Sequence, residues 1–281
     1  MLDALKLCLA EVDAHVEGVR AGEDAEALHG LRVSIRRFRT AAKIGREAGL
    51  PKFSGNVRGD LKWLWALLGR KRDLDVLVEQ TWPAVVGVGV GSPATRRFER
   101  AARRARTKCQ GEVRHALGGP RFHALMLALH RFVTENADAA AARSTRRELS
   151  KIAKRVLGGR AERVRRHGKS ANRLGTKALH ALRIEVKKLR YPAEFFASSD
   201  TPRGSKRYLK RLVAVQTALG RLNDLAVSRK LCVHIGGGLP PADVALVRKL
   251  WQRHDEKTQP RCRRALAKAL QELRRTAPFW S

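Results

Sequence analysis

One twelve-residue segment occurs twice, and this repetition constrains the fold of the chain more than any other feature of its sequence. Residues 28–39 read LHGLRVSIRRFR, and residues 179–190 read LHALRIEVKKLR, at an offset of 151 residues. At the same offset and without a gap, LGRKRDLDV (68–76) aligns with LGRLNDLAV (219–227). Two matches in one register indicate an internal duplication, with one helical unit in each half of the chain.

The apolar residues follow the spacing of α-helices throughout the chain. In the first twenty residues, for example, Leu2, Leu5, Leu9 and Val12 mark one helical face. Helices are predicted over residues 2–20, 23–48, 54–68, 73–82, 94–117, 121–137, 145–167, 177–198, 203–219, 223–235 and 241–276. No segment has the pattern of a strand. The sequence therefore predicts an all-α fold of two helical units, each a small bundle, that pack as one body. The two repeats are predicted over about residues 1–138 and 143–281.

Glycines mark several of the expected helix ends. Gly69 and Gly220 occupy equivalent places in the two repeats, and each is expected to end a helix in the left-handed conformation. Asp73 and Asp224 follow them and are expected to cap or pair with the next helix. The second helix is expected to stop at Gly49-Leu50-Pro51.

The chain carries a large excess of positive charge. It contains 59 Lys and Arg residues against 26 Asp and Glu residues, which gives a formal net charge of +33. Residues 1–150 contribute +10 and residues 151–281 contribute +23. Such an excess opposes compactness unless a polyanion neutralises part of it.

The basic residues of the repeated segment fall on one side of its helix. On a helical wheel they occupy an arc of about 80°, and apolar residues occupy the adjacent arc. The first row consists of His29, Arg32, Arg36, Arg39 and Lys43, beside Leu28, Leu31, Ile35, Phe38 and Ala42. The second row consists of His180, Arg183, Lys187 and Arg190, beside Leu179, Leu182, Val186 and Leu189. Arg37 and Lys188 lie nearly opposite these rows, toward a neighbouring helix or another part of a ligand.

The basic rows require a source of negative charge. Neighbouring cations without an interleaved acid repel one another by roughly 0.2–0.5 kcal/mol per pair. A regularly charged polyanion would neutralise a row and release counterions. Arg offers forked donors to phosphate oxygens, Lys offers a point charge, and a neutral His can donate one N–H group. A solvated helix face is the alternative, and His29 and His180 are either ligand contacts or packing histidines.

Other basic residues lie on helices that would face these rows. They are predicted to form the opposite wall of a groove and comprise Arg58 and Lys62 in the first repeat and Arg207, Lys210 and Arg211 in the second. Three more are close enough in sequence to reach the groove, namely Arg70, Arg72 and Arg221.

The sequence does not support catalysis or a metal site. The four cysteines are widely spaced and form no CxxC or Cys/His cluster, which favours reduced thiols in the cytoplasm. There are no paired carboxylates, no Ser/His/Asp arrangement and no acidic triad to hold Mg²⁺ beside the basic rows. No apolar run approaches the ~20 residues of a membrane span, and the N-terminal segment lacks the basic region of a signal peptide. We therefore expect a cytoplasmic, non-enzymatic protein without a cofactor.

The duplicated H-x-x-R-[VI]-x-x-[RK]-[RK]-[FL]-R and LG-x-x-x-D-L segments resemble those of the CHAD family (conserved histidine α-helical domain). The resemblance covers nearly the whole chain. It implies an all-α fold of two pseudo-symmetric bundles, with about four helices each, that form one body with a basic groove or channel. It also implies binding of inorganic polyphosphate and association with polyphosphate granules in prokaryotes. The family's histidine and basic positions correspond here to His29, Arg32, Arg36, Arg37 and Arg39, and to His180, Arg183, Lys187, Lys188 and Arg190.

The chain departs from the family pattern in two ways. The family often couples this domain to a triphosphate-tunnel phosphatase domain, and no room is expected for one here. Pro192 lies inside the second motif helix and is expected to kink it.

Polyphosphate binding is the leading hypothesis, and nucleic-acid binding is the alternative because the same charge suits any polyanion. Against nucleic acid, no aromatic residue is interleaved with the basic rows, and the five tryptophans are predicted to lie in the core or at chain ends. A phosphohydrolase is a third hypothesis, and it would require phosphate release with added Mg²⁺ or Mn²⁺. The oligomeric state stays open.

Overall fold

The computed structural model describes residues 2–21, 25–47, 49–87, 91–136, 146–169, 174–197 and 203–280. Within these ranges every regular element is a helix and none is a strand. The all-α prediction is confirmed. In the same ranges, no helix is both long and apolar enough to cross a bilayer.

The helices follow the predicted order, but one continuous helix replaces the two predicted over 203–219 and 223–235, and the segment predicted over 73–82 continues the helix predicted over 54–68. They are α1 (Leu2–Ala21), α2 (Ala25–Glu47), α3 (Gly55–Val76), a π-helical turn (Leu77–Thr81), α4 (Trp82–Val86), α5 (Pro93–Gly118), α6 (Pro120–Glu135), α7 (Arg146–His167), α8 (Thr176–Ala197), α9 (Arg203–Gly236) and α10 (Pro241–Arg274).

The chain divides into two compact units. Unit 1 contains Met1–Ala142 and Asp224–His254, and unit 2 contains Arg143–Asn223 and Asp255–Ser281. The division falls inside the two long helices α9 and α10, so each unit contains one part of α9 and one part of α10. The internal duplication stays a prediction.

The apolar face of α2 holds this helix in the core of unit 1. Leu28, Leu31, Ile35 and Phe38 are between 0% and 3% exposed, and α2 packs closely along α1. Each such side chain contributes roughly 1.5–3 kcal/mol on burial. Because this face is fixed in the core, the basic row on the adjacent face has a defined direction.

The end of α2 directs the chain into α3. Gly49 adopts a positive φ of 94°, and the N–H of Leu50 donates to the carbonyl oxygen of Gly45 at 2.9 Å. This pattern is a Schellman ending, and it confirms the expected stop at Gly49-Leu50-Pro51. Ser54 then caps α3, since its hydroxyl accepts a hydrogen bond from the N–H of Val57. The short connection brings α2 and α3 side by side.

The expected helix breaks at Gly69 and Gly220 are wrong. Both glycines lie inside continuous helices, α3 and α9, and neither has a positive φ. A glycine inside a helix costs about 1 kcal/mol relative to alanine, which the buried Leu67 and Leu68 outweigh. The irregularity comes later instead, at the π-helical turn Leu77–Thr81.

In unit 2, α8 is the counterpart in sequence of α2 and packs along α7. In its apolar stripe Leu182, Val186 and Leu189 are at 0% exposure, and Leu179 is half-buried. The helix continues past Pro192 to Ala197, and the proline itself is buried.

Candidate functional site

A basic cleft lies between α2 and α3 of unit 1. Its volume is about 380 Å³, and it is lined by Arg39, Ala42, Lys43, Arg46, Pro51, Lys52, Phe53, Arg58, Leu61 and Lys62. Six of these ten residues are basic and none is acidic. We call this feature the α2–α3 cleft.

Four of the six cleft cations were predicted from the sequence. Arg39 and Lys43 come from the row on α2, and Arg58 and Lys62 come from the expected opposite wall on α3. The structure therefore brings the end of the predicted first row and the predicted wall of unit 1 to one cavity, which His29, Arg32 and Arg36 do not line.

Sequence reasoning missed the other two cations. Arg46 follows Lys43 by three residues and Arg39 by seven, so one further step of the same helical spacing finds it. Lys52 lies in the connection between α2 and α3, and no helical pattern points to it. It joins the cleft only because the tight turn at Gly49 returns the chain over the row.

Trp65 of α3 supports the middle of the row. The guanidinium Cζ of Arg32 lies 4.4 Å from the centre of the Trp65 ring, and that of Arg39 lies 5.9 Å away. Arg32 Nη1 also donates to the Trp65 carbonyl oxygen at 3.5 Å. Trp65 is half-buried, so the prediction that it belongs to the core or a chain end is wrong. Partial removal of water lowers the pKa of Arg39 from its usual value.

Gly69 lies beside Arg32, and an alanine would also fit at this position, because its Cβ would be in ordinary van der Waals contact. A Cβ atom built on Gly69 would lie 3.5 Å from Arg32 Nη1, and no other neighbour would come as close. The residue expected to end a helix instead lies beneath a member of the basic row.

His29 begins the row at an exposed position. Partial burial lowers the pKa of its imidazole, and the charges of Arg72, Arg36 and Arg32 lower it further, while Glu26 opposes them. His29 is therefore neutral near pH 7 and can donate one N–H group to an anion. Arg72 belongs to α3, so two helices place cations around this histidine.

Arg37 points away from the row, as its wheel position predicts. Its Nη1 donates to Glu11 of α1 at 3.2 Å, and Ser34 donates to the other oxygen of the same carboxylate at 3.2 Å. Arg36, one residue earlier, is half-buried on the side of the row. Arg36 therefore faces the basic row, whereas Arg37 faces α1.

The predicted row of unit 2 contains a partly neutralised member. His180 is exposed and Arg183 and Lys187 are half-buried on α8. Arg190 pairs with Glu194 one turn later, with Nε and Oε1 2.7 Å apart. The off-row Lys188 pairs with Glu185 at 2.7 Å.

The predicted second wall lies on α9. Arg207 and Lys210 are exposed. Arg211 Nη1 lies 2.5 Å from Glu272 Oε2 of α10. This wall therefore faces α10 through at least one ion pair.

The repeated LGRKRDLDV segment anchors α3 to α5. Lys71 and Asp75 form a buried ion pair, in which Lys71 Nζ lies 2.5 Å from Asp75 Oδ1. Arg106 of α5 donates to the same oxygen at 2.7 Å. Arg70 pairs with Glu112 of α5 at 3.0 Å rather than reaching the cleft. The segment is therefore structural at Lys71 and Asp75.

Burial shields the cysteine thiols. All four cysteines are free and buried, and burial raises the pKa of Cys8 to about 11 and that of Cys232 to about 12. In the part of the chain that the structure describes, no three or more His, Cys, Asp or Glu side chains are grouped to hold a metal ion.

Comparison with known proteins identifies the family. The family model of the CHAD domain matches residues 3–233. The chain belongs to the CHAD domain family. The CHAD domain of the plant Ricinus communis has a crystal structure that superposes with a TM-score of 0.81 at 25% sequence identity, over 96% of this chain and 90% of that one.

Two further comparisons concern the fold of the chain and its length relative to similar proteins. PptA from Streptomyces chartreusis is similar in fold, with a TM-score of 0.71 at 18% identity over 96% of this chain and 97% of that one. Two Mycobacterium tuberculosis proteins, both named as uncharacterized, are 27% identical over 261 residues. That alignment covers 88% of this chain and 48% of theirs, so the chain spans about half the length of these relatives.

Proposed function

We propose that this CHAD domain binds inorganic polyphosphate, with the α2–α3 cleft as a principal site. The observation that carries the proposal is the lining of that cleft, in which six cations surround about 380 Å³ and no acid is present. A chain of phosphates would neutralise these charges and release their counterions.

The extent of the row favours a long anion over a single phosphate group. From Arg32 to Arg46 the row rises about 21 Å along α2. Cations from α3 and from the connecting segment face the far end of this row. A flexible phosphate chain can contact all of them in turn, whereas a small anion would leave most of them uncompensated.

The aromatic residues beside the cleft favour an anion without bases. The Trp65 ring is covered by Arg32. Phe53 stacks against Phe38 with ring centres 5.9 Å apart and contacts Phe132 at 4.5 Å. Single-strand binders stack bases on open aromatic faces, and these rings already have partners. This favours polyphosphate over the nucleic-acid alternative.

We further propose binding without turnover. Phosphoryl transfer from a polyphosphate needs carboxylates that hold Mg²⁺ or a similar ion, and the residues that line the cleft include none. A phosphate-release assay with added Mg²⁺ or Mn²⁺ directly tests the proposal that binding occurs without turnover. Sustained release above the rate without protein would contradict it.

The binding proposal is tested with polyphosphates of defined length over a series of salt concentrations. We expect affinity to rise with chain length and to fall steeply with salt. RNA added at equal phosphate concentration should not displace a long polyphosphate. Displacement by RNA, or affinity that does not depend on length, would contradict the proposal. We propose that the cellular site is the cytoplasmic polyphosphate granule, which a fluorescent fusion imaged beside stained granules tests.

A further inference from the structure

A further row of basic residues, distinct from the two predicted rows, runs along the exposed side of α10 in unit 2. The row, which we call the α10 row, consists of Lys257, Arg261, Arg264, Lys268, Gln271 and Arg275, all of them exposed. On a helical wheel the six fall within about 80°. Five are cations, one is an amide, and none is acidic or apolar.

The direction of the α10 row is fixed by the opposite face of the same helix. Cys262, Leu266, Leu270 and Leu273 are at most 8% exposed and belong to the core. Most of the row, from Arg261 to Arg275, follows Pro260 and rises about 21 Å. It lies beyond residues 3–233, which the family model matches.

A shallow cleft opens beside the row, between α9 and α10. Its volume is about 450 Å³, and four alanines, Thr217, Arg221, Lys268 and Glu272 line it. Arg211 pairs with Glu272, the one acid among these lining residues. Arg221 of α9 and Lys268 of the row are therefore cations on opposite sides of a cleft with small side chains between them.

We propose that the α10 row and Arg221 form a second polyphosphate-binding surface, which rests on the function proposed above. A straight row of cations fits a flexible phosphate chain laid along it, and each contact adds to the counterions released. The alanines of the cleft leave space for the chain to approach Arg221 and Lys268 together.

The geometry of the row disfavours a nucleic-acid duplex. Along one side of a duplex, each strand returns only once per helical turn of roughly 34 Å, so a row of about 21 Å would meet few phosphates.

The composition of the row disfavours two other polyanions. An interfacial membrane helix inserts Leu, Phe or Trp side chains into the lipid, and the row has no apolar member. Single-stranded nucleic acid calls for aromatic stacking partners, and the row contains none.

The test uses the full chain and three double variants that each remove one Arg and one Lys charge. The row variant is Arg261→Gln with Lys268→Gln, and the cleft variant is Arg58→Gln with Lys62→Gln. The control is Arg248→Gln with Lys249→Gln, two exposed residues of α10 outside the row. Long-chain polyphosphate, a short polyphosphate and a duplex RNA are titrated into each protein over a salt series.

We expect the row variant to bind long polyphosphate roughly tenfold more weakly than wild type, with a salt slope reduced by about 0.7 for each lost contact. The control should match wild type in its affinity for long polyphosphate and in its salt slope. Because the substituted side chains are exposed, unfolding curves of all variants should coincide with wild type.

The possible results separate this inference from the proposed function. If the row variant matches the control while the cleft variant weakens binding, the second surface is refuted and the proposed function stands. If duplex RNA rather than polyphosphate loses affinity in the row variant, the assigned ligand is wrong. If wild type binds neither polyphosphate, both proposals fail.

Discussion

Arg32 lies over the indole ring of Trp65, with its Cζ atom 4.4 Å from the ring centre. The contact joins α2 to α3 at the middle of the basic row. A cation–π pair of this kind contributes about 0.5–2 kcal/mol, depending on how far water is excluded. The Trp65 ring therefore helps to orient the Arg32 guanidinium.

Replacing Trp65 with leucine should weaken polyphosphate binding several-fold, because Arg32 and Arg39 lose the ring that orients them. The measurement is the equilibrium affinity for long-chain polyphosphate. Trp63 provides a matched control, since it lies on the same helix and carries Arg121 at 4.3 Å. Trp63→Leu should lose comparable stability and retain binding. Equal losses of affinity in the two variants would remove the role assigned to Trp65.

Protonation of His29 should be coupled to stability. The pKa of His29 in the folded protein lies below the ordinary value of 6.5, so the unfolded chain takes up the proton first as the pH falls. The free energy of unfolding should therefore decrease as the pH drops through 6.5 toward the lowered pKa. Urea unfolding at several pH values measures this, and His29→Gln should remove that part of the pH dependence.

The same histidine should report on bound anion. Phosphate groups near Arg32, Arg36 and Arg72 would offset the charges that lower the pKa of His29. We expect the NMR titration midpoint of His29 to lie below 6.5 in the free protein and to rise when polyphosphate is added. A midpoint that does not move with saturating polyphosphate would place the anion away from this end of the row.

Arg37→Gln should leave polyphosphate affinity and its salt dependence unchanged, because Arg37 is engaged by Glu11 of α1. The pair is part exposed, with side-chain exposures of 51% and 30%, so its loss should destabilise the fold by at most about 1 kcal/mol. Arg36→Gln, the neighbouring change on the row, should weaken binding. A larger binding defect at Arg37 than at Arg36 would reverse the assignment of the two surfaces.

Asp75→Asn should destabilise unit 1 by about 3–5 kcal/mol, because it leaves Lys71 buried without its counter-ion. Arg106 would lose the same partner. Urea unfolding measures the change. Glu99→Gln is the control, since it breaks an exposed pair with Arg103 one turn away and should cost about 0.3–0.5 kcal/mol. Similar costs for both variants would mean that the buried pair does not anchor α3 to α5.

The helical periodicity was enough to predict the fold class and most helix ends. The stop at Gly49 was predictable because a left-handed glycine followed by proline ends a helix by local geometry alone. Gly69 and Gly220 carry a similar local signal, yet both are helical. Their conformation depends on the burial of neighbouring leucines, which is a tertiary effect that the local sequence does not display.

In the candidate site as well, residues placed by a helical pattern were predictable and residues placed by tertiary packing were not. Arg39, Lys43, Arg58 and Lys62 were predictable because each lies on a regular helix whose buried face is evident in the sequence. Lys52 lies in a turn, and the half-buried position of Trp65 depends on how α3 rotates against α2. The acid opposite Arg37 was also unforeseen, since Glu11 is far away in the chain and reaches it only through the packing of α1 on α2.

The most direct test of the central claim compares two double variants of unit 1 in a salt series with long-chain polyphosphate. Arg58→Gln with Lys62→Gln removes two charges from the α2–α3 cleft, and Arg100→Gln with Lys108→Gln removes the same two charges from an exposed face of α5. We expect the cleft variant to bind roughly tenfold more weakly, with the salt slope reduced by about 1.4, and the α5 variant to behave as wild type. Equal changes in the two variants would mean that net charge alone governs binding, and would contradict a polyphosphate site in the cleft.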